Sequence, residues 1–245
     1  MPPWTRASSL DRSVACPAST HLAQLVAPSE RSQDAARWGT MLHHWKETGE
    51  WLEDTQPVRR RRAALVAGGV SREDLWPITG AHEVAFALHT ANKLAVRCDL
   101  PTREEKEAWK LSFDESWITG TCDYLGDLLG EPWVDDLKTG KYGLHAEADP
   151  WDLWQMRFYA LCAAMFTGAD RVHVSLTWWP RYPADGVPLQ IWAEPVTATE
   201  LLGLTLPLLE TARRAAVASR LLTPDAQPGD HCTFCKSRTS CPAYT

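Results

Sequence analysis

Residues 117–142, WITGTCDYLGDLLGEPWVDDLKTGKY, constrain this chain more than any other stretch. Trp117 to Tyr124 and Pro132 to Thr139 carry the β-branched and aromatic residues of strands. Gly126 to Gly130 supplies turn chemistry between them, so the two segments are expected to pair as neighbours. Side chains alternate along a strand, which puts Asp136 and Lys138 on one face and Asp135 and Leu137 on the other. Asp123, near the end of the first strand, can then sit opposite Asp136. Two carboxylates and an ammonium at one point have a chemical use. Hard oxygen ligands hold Mg²⁺ or Mn²⁺, and a nearby lysine orients or deprotonates a water for hydrolysis. A single D-x-K is more often a surface ion pair on an edge strand. What raises this one is the apolar lead-in Trp133-Val134, the trailing Thr139-Gly140 and Gly120-x-x-Asp123 one hairpin upstream.

With these residues the segment resembles motifs II and III of the PD-(D/E)XK nuclease superfamily, RecB-like branch, whose pattern is G-x-x-D followed by an apolar strand ending D-x-K-T. The resemblance continues along the chain. Residues 35–52 have helical spacing through Ala35, Trp38, Leu42, Trp45 and Leu52, and Gly39-x-x-x-His43 within them is similar to the family's helical histidine motif. His44 points about 100° away from His43. Residues 83–90 read as a strand opening on Glu83, as in family members, which makes Glu83 an optional site residue. Asp149 is a good N-cap for a helix over 150–166, with Pro150 at its first position. On that helix Gln155 and Tyr159 are i, i+4 neighbours and resemble the family's Q-x-x-x-Y. The resemblance implies that His43, Asp123, Asp136 and the backbone carbonyl of Leu137 hold the metal, and that Lys138 positions the attacking water. It also implies that Gln155 and Tyr159 contact DNA and support the lysine.

The carboxyl-terminal run His231-Cys232-Thr-Phe-Cys235-x5-Cys241-Pro242 is the second strong signal. Three cysteines within ten residues, in a chain without a secretory pattern, point to metal rather than disulfides. A fourth ligand is needed: tetrahedral zinc could take His231, and a cubane iron-sulfur cluster would want another cysteine, for which Cys16-Pro17 is the obvious donor. One cysteine near the start with C-x2-C-x5-C at the end resembles the iron-sulfur subset of RecB-like nucleases, which includes AddB and the CRISPR adaptation nucleases. That resemblance implies a [4Fe-4S] staple on Cys16, Cys232, Cys235 and Cys241, formed by residues 8–20 and 230–245. Cys98, Cys122 and Cys162 lie among apolar or strand residues and read as core thiols.

A chain of 245 residues with 44% hydrophobic content can bury one good core, so residues 1–245 are expected to form a single domain. The formal charge of -6 argues against coating nucleic acid by bulk basicity, and leaves room for a local basic groove. Arg59, Arg60, Arg61 and Arg62 are either that contact or a solvated face. Arg213, Arg214 and Arg220 default to solvent. No run approaches the roughly 18 apolar residues of a membrane span, and a cytoplasmic protein is expected.

Residues 8–27 look helical on both sides of Cys16-Pro17, and 100–109 reads as a loop or exposed helix. Residues 172–179 and 189–196 form a strand pair around the turn-rich 181–188. Thr197-x-x-Glu200 caps a long helix to about Leu222, kinked at Pro207. With no phosphate-binding G-x-x-x-x-G-K-[ST], any helicase or recombination motor is a separate partner. The fold the resemblance implies is α/β, a restriction-endonuclease-like core whose mixed central sheet is flanked by helices and whose ends are joined by the cluster. The function it implies is a metal-dependent DNA nuclease, an exonuclease on single-stranded or frayed ends. The alternative of a different class is a non-catalytic nucleic-acid-binding or scaffold subunit. The intact acid-acid-lysine set argues against it, since a degenerate copy would be expected to lose one of the three.

Overall fold

The computed structural model describes residues 5–22, 30–67, 79–140, 149–180, 189–218, 220, 226–235, 238, 241 and 243. In chain order the elements are β1 (Thr5–Arg6), α1 (Leu10–Ala15), α2 (Pro17–Leu22), α3 (Glu30–Thr48), α4 (Gln56–Ala67), β2 (Ala81–His89), β3 (Leu94–Cys98) and α5 (Arg103–Lys110). They continue with β4 (Trp117–Leu128), β5 (Glu131–Gly140), α6 (Trp154–Thr167), β6 (Arg171–Pro180), β7 (Leu189–Trp192), β8 (Val196–Thr197), α7 (Ala198–Glu200) and α8 (Leu206–Ala218). The turn expected over 181–188, residues 23–27 of the first helical stretch and most of the expected end of the last helix lie outside the described residues.

The strands make one mixed sheet in the order β3-β2-β4-β5-β6-β7, with β1 beside β4 and β8 against β6. The β5–β6 pair is parallel and α6 is its crossover, as a parallel pair requires. β1 also runs parallel to β4, and the other pairs are antiparallel. Helices cover both faces. On one, Val84, Phe86, Leu88, Ile118, Val134 and Val174 pack against α6 and α8. On the other, Trp38 and Leu42 of α3 and Val58 of α4 pack against Tyr124, Trp133, Leu137 and Trp179. Helix α6 is caught inside the first core, with Phe158 through Ala164 all buried, which explains why its sequence is apolar nearly all round.

The pairing of β4 with β5 matches the sequence reading, but the turn is tighter than the glycines suggested. Leu128 pairs with Glu131, and the two residues between them, Leu129 and Gly130, both have positive φ (59° and 88°), the backbone of a two-residue hairpin turn. Gly126, read as turn, lies inside β4, where a Cβ would come within 2.4 Å of the Tyr124 hydroxyl.

Other differences have local causes. α3 stops at Thr48, and Leu52, expected on its apolar stripe, is about half exposed beyond it. Asp149 caps only a single 3-10 turn over Pro150–Asp152, accepting from the Trp151 N–H, and α6 starts afresh at Trp154. Of the two readings of the charged stretch after Pro101, loop or exposed helix, the structure has the helix, opened by a reciprocal capping box between Thr102 and Glu105. The kink expected at Pro207 is a π-helical turn over Leu201–Thr205, with the Leu206 N–H bonded to the Leu201 carbonyl: proline offers no N–H to continue the α pattern. Among the described residues no helix is long and apolar enough to cross a membrane.

Candidate metal centre and active site

The centre lies where β2 and β4 pass each other at Glu83 and Asp123. His82 pairs with Tyr124 and Val84 with Cys122, so Glu83 faces Asp123 across the rung between them. Both strands lose their alternation there. On β4, Cys122 packs in the α6 core, Tyr124 in the α3 core and Leu125 back in the α6 core. On β2, Ala81 and Val84, an odd number of residues apart, both pack on the α6 side. Because both strands slip together, the register on either side is unchanged. The slip is visible in the backbone: Glu83 has φ 53°, a left-handed conformation that costs a residue with a Cβ about 1–2 kcal/mol. Its carbonyl accepts instead from Lys106 Nζ of α5 at 2.8 Å.

The slip turns both carboxylates toward α3. His43 Nδ1 lies 3.3 Å from Asp123 Oδ1 and 3.7 Å from Glu83 Oε1. The second Asp123 oxygen accepts the Leu137 N–H at 2.6 Å, which fixes the carboxylate and ties β4 to β5 beyond their last paired rung. Burial alone would depress the His43 pKa, but the charge of Asp123 and hydrogen bonds to Asp123 and Glu83 outweigh it and raise the pKa to about 10. The imidazolium proton thus neutralises one of two adjoining carboxylates, a charge that a divalent cation would supply in its place. Among the described residues, His43, Glu83 and Asp123 are the one group of three or more His, Cys, Asp or Glu ligand atoms all within 4.8 Å of one another.

Asp136 stands beside this group and not in it. Its Oδ2 pairs with Lys138 Nζ at 2.5 Å and its Oδ1 accepts from Gln155 Nε2 at 2.7 Å. Gln155 also accepts from Lys138 Nζ at 3.0 Å and donates to the Tyr159 hydroxyl at 3.2 Å, and that hydroxyl donates to the Thr121 carbonyl at 2.5 Å. Gln155 therefore bridges acid and base from α6, and Tyr159 anchors it to β4. Burial pushes the Asp136 pKa up, against the pull of Lys138. For Lys138 burial works downward, but Asp136 raises the pKa overall, so the side chain is an ammonium that donates and does not accept protons at neutral pH. Gly120 leaves room for this arrangement: a Cβ there would sit 2.9 Å from the Tyr159 ring and 2.8 Å from Ala7.

Sequence reading missed two supports. Asp11 of α1 accepts the Trp154 N–H at 3.2 Å at the start of α6, and its charge bears on Lys138. Nothing local in the sequence points across those 143 residues. Lys106 could have been found, since Thr102-x-x-Glu105 is a capping-box signature that opens a helix. The arginine run lies in α4, a helix, so it does not form one continuous face, although Arg59 and Arg62, at i and i+3, lie on the same side. Arg59 pairs with Asp54 at 3.2 Å, and Arg62 lies 3.5 Å from Asp54 and over the Trp51 ring.

Cys98, Cys122 and Cys162 are buried, as core thiols should be. Cys16 sits at the break between α1 and α2 in extended backbone. It lines one pocket together with His231, Cys232, Cys235 and Cys241. Backbone N–H groups of Gln227 and Gly229 donate to the sulfurs of Cys16 and Cys232, each at 3.4 Å. No three of these sulfur and imidazole ligand atoms lie within 4.8 Å of one another. Cys232 Sγ and His231 Nε2 stand 3.7 Å apart.

Comparison with known proteins gives three results. No curated protein matches the chain. Among solved structures, one described as "Crystal structure of SSO0001" is similar at 15% identity and TM-score 0.43, covering 99% of this chain and 87% of that one. The family described as the PD-(D/E)XK nuclease superfamily matches residues 7–242, nearly the whole length. The match spans every element that carries the His43, Glu83 and Asp123 group and the Asp136, Lys138 and Gln155 network, and the chain therefore belongs to the PD-(D/E)XK nuclease superfamily.

Proposed function

We propose that this protein is a metal-dependent deoxyribonuclease that hydrolyses phosphodiester bonds, acting as an exonuclease on single-stranded or frayed DNA ends in recombination, repair, phage or CRISPR-type processing. The observation that carries the reading is the convergence of His43, Glu83 and Asp123 beside a lysine paired with Asp136 and hydrogen-bonded to Gln155. The donor set suits Mg²⁺ or Mn²⁺: two hard carboxylates, with an imidazole that favours manganese. Glu83 thereby joins the ligand set, and Asp136 either swings in as a further ligand or remains the lysine's partner. A bound metal would polarise the scissile phosphate and lower the pKa of a coordinated water. Lys138 donates to that water or to a phosphate oxygen, which orients attack and stabilises developing negative charge. Gln155 fixes the direction of the lysine, and Tyr159 fixes Gln155. Turnover of end-labelled DNA with Mn²⁺ tests the reading. Cleavage that Asp123→Asn abolishes and Lys138→Ala sharply reduces supports it, and a well-folded wild-type protein that never cleaves DNA would favour a non-catalytic nucleic-acid-binding or scaffold subunit.

The cysteine pocket supports a second cofactor, a [4Fe-4S] cluster on Cys16, Cys232, Cys235 and Cys241 that staples the two ends of the domain. The four thiols line one pocket, and the N–H donors to Cys16 and Cys232 stabilise thiolate charge. Closing a loop of nearly the whole chain would, by analogy with a disulfide, stabilise the fold by about 4–5 kcal/mol. Protein purified without oxygen should be brown, and Cys16→Ala should lose colour and thermal stability together. One zinc and no iron would replace the cluster with a zinc site. Full iron in Cys16→Ala would leave His231 as the fourth ligand.

A further inference from the structure

A second cleft, of about 210 Å³, opens directly onto the catalytic network, and neither the metal group nor the arginine run accounts for it. One wall is Glu83, Gln155 and Tyr159, the residues that face the metal and the lysine. The other wall is cationic. Arg103, Lys106 and Lys110 follow one another at i, i+3 and i+7 along a single face of α5, and Arg6 joins them from β1. Lys110 is buried and already matched by Glu107 at 2.6 Å and by the Thr121 hydroxyl at 3.2 Å. Lys106 holds the Glu83 carbonyl and keeps its positive charge, because a carbonyl does not neutralise it. With Glu107 taken by Lys110 and Glu83 turned to His43, the cleft presents more positive than negative charge within a protein of formal net charge -6. Its volume lies below the range of drug-sized ligand sites, about 300–1,000 Å³, and suits a short stretch of one strand's backbone.

Resting on the nuclease reading above, we propose that this cleft receives the sugar-phosphate backbone of a single nucleic-acid strand next to the scissile bond, with Arg6 and Arg103 as its phosphate contacts. Lys106 serves both sides, since the ammonium that faces the strand also holds the backbone of Glu83. Helix α5 is then the arm that aligns the strand with the metal group, and α4 with its arginine run is not needed for that alignment.

The test is binding of a short fluorescently labelled single-stranded oligonucleotide in EDTA, followed by anisotropy across a salt series, so that neither metal binding nor cleavage enters. Arg6→Ala/Arg103→Ala is the main variant. Both residues are exposed, and neither belongs to the His43, Glu83 and Asp123 group. The double variant should bind at least tenfold more weakly at low salt, and its log-log salt slope should be shallower by about 1.4, two single-strand phosphate contacts at about 0.7 each. Arg59→Ala/Arg60→Ala should keep the wild-type slope. A wild-type slope in Arg6→Ala/Arg103→Ala, or no binding by the unmodified protein, overturns the proposal, and tighter binding of a blunt duplex than of the single strand overturns the one-strand assignment. Mn²⁺-dependent cleavage is scored separately. Its absence with cleft binding intact would count against the nuclease reading alone, and its presence with an unchanged salt slope would count against the cleft alone.

Discussion

Replacing Glu83 should invert a familiar rank order. In a regular strand glycine is less stable than alanine by about 0.5–1 kcal/mol, because it loses more freedom on folding. At Glu83, with φ 53°, any residue with a Cβ costs about 1–2 kcal/mol that glycine avoids. The two terms oppose, and Glu83→Gly should exceed Glu83→Ala in stability by about 0.5–1 kcal/mol. Neither variant keeps the carboxylate near His43, so the comparison isolates the backbone. Urea unfolding in EDTA measures the difference, with Ala85→Gly in the same strand as a control that should only lose stability. A thermal shift with Mn²⁺ then reads function: the wild-type protein should gain melting temperature through mass action, and both Glu83 variants should gain much less. Glu83→Gly unfolding more easily than Glu83→Ala would refute the strained rung, and with it the account of how Glu83 reaches the metal group.

Lys138→Ala should reduce turnover by about 10²–10³-fold, as expected for removal of one preorganised donor, while leaving the fold intact. Asp136 already has its pKa pushed up by burial, so without the lysine it takes up a proton rather than remaining a buried charge, which circular dichroism and a melting curve would verify. Asp123→Asn should lose both the Mn²⁺ thermal shift and cleavage, since the group that accepts the Leu137 N–H also faces His43. Glu210 gives a pH signature away from the site. Its hydrogen bonds with Arg213, then Thr90 and Arg214, lower its pKa from 4.5 to about 2. A depressed carboxylate contributes stability above its unfolded pKa and loses it as the pH falls through the folded value. Glu210→Gln should therefore flatten the decline in urea midpoint between pH 4.5 and 2, by about 1–2 kcal/mol after allowance for partial exposure.

The β4–β5 hairpin was legible because alternation on β5 is regular: Trp133 and Leu137 face α3, Val134 and Asp136 face α6, as period two demands. Gln155 and Tyr159 were legible because i, i+4 on a helix is a fixed geometry, and the structure joins them to Asp136 and Lys138. The place of Glu83 was not. It depends on two strands slipping together at one rung, and Glu83 is not the glycine or asparagine that usually marks a positive φ. β3 escaped notice because Leu94–Cys98 is short and its Arg97 interrupts the pattern. The cationic face of α5 was hidden by its composition. REEKEAWK reads as solvated in one dimension, and only the helix sorts its lysines from its glutamates.

One measurement bears most directly on the central claim, that His43, Glu83 and Asp123 bind a divalent cation which Lys138 and Gln155 put to use on a phosphodiester. End-labelled single-stranded DNA is incubated with metal-stripped protein while Mn²⁺ is titrated, with wild-type protein and Asp123→Asn in parallel. The account predicts cleavage that rises with Mn²⁺ in the wild-type protein, vanishes in EDTA and is absent from Asp123→Asn at every concentration. Cleavage that persists in EDTA, or that Asp123→Asn carries out at the wild-type rate, would contradict it.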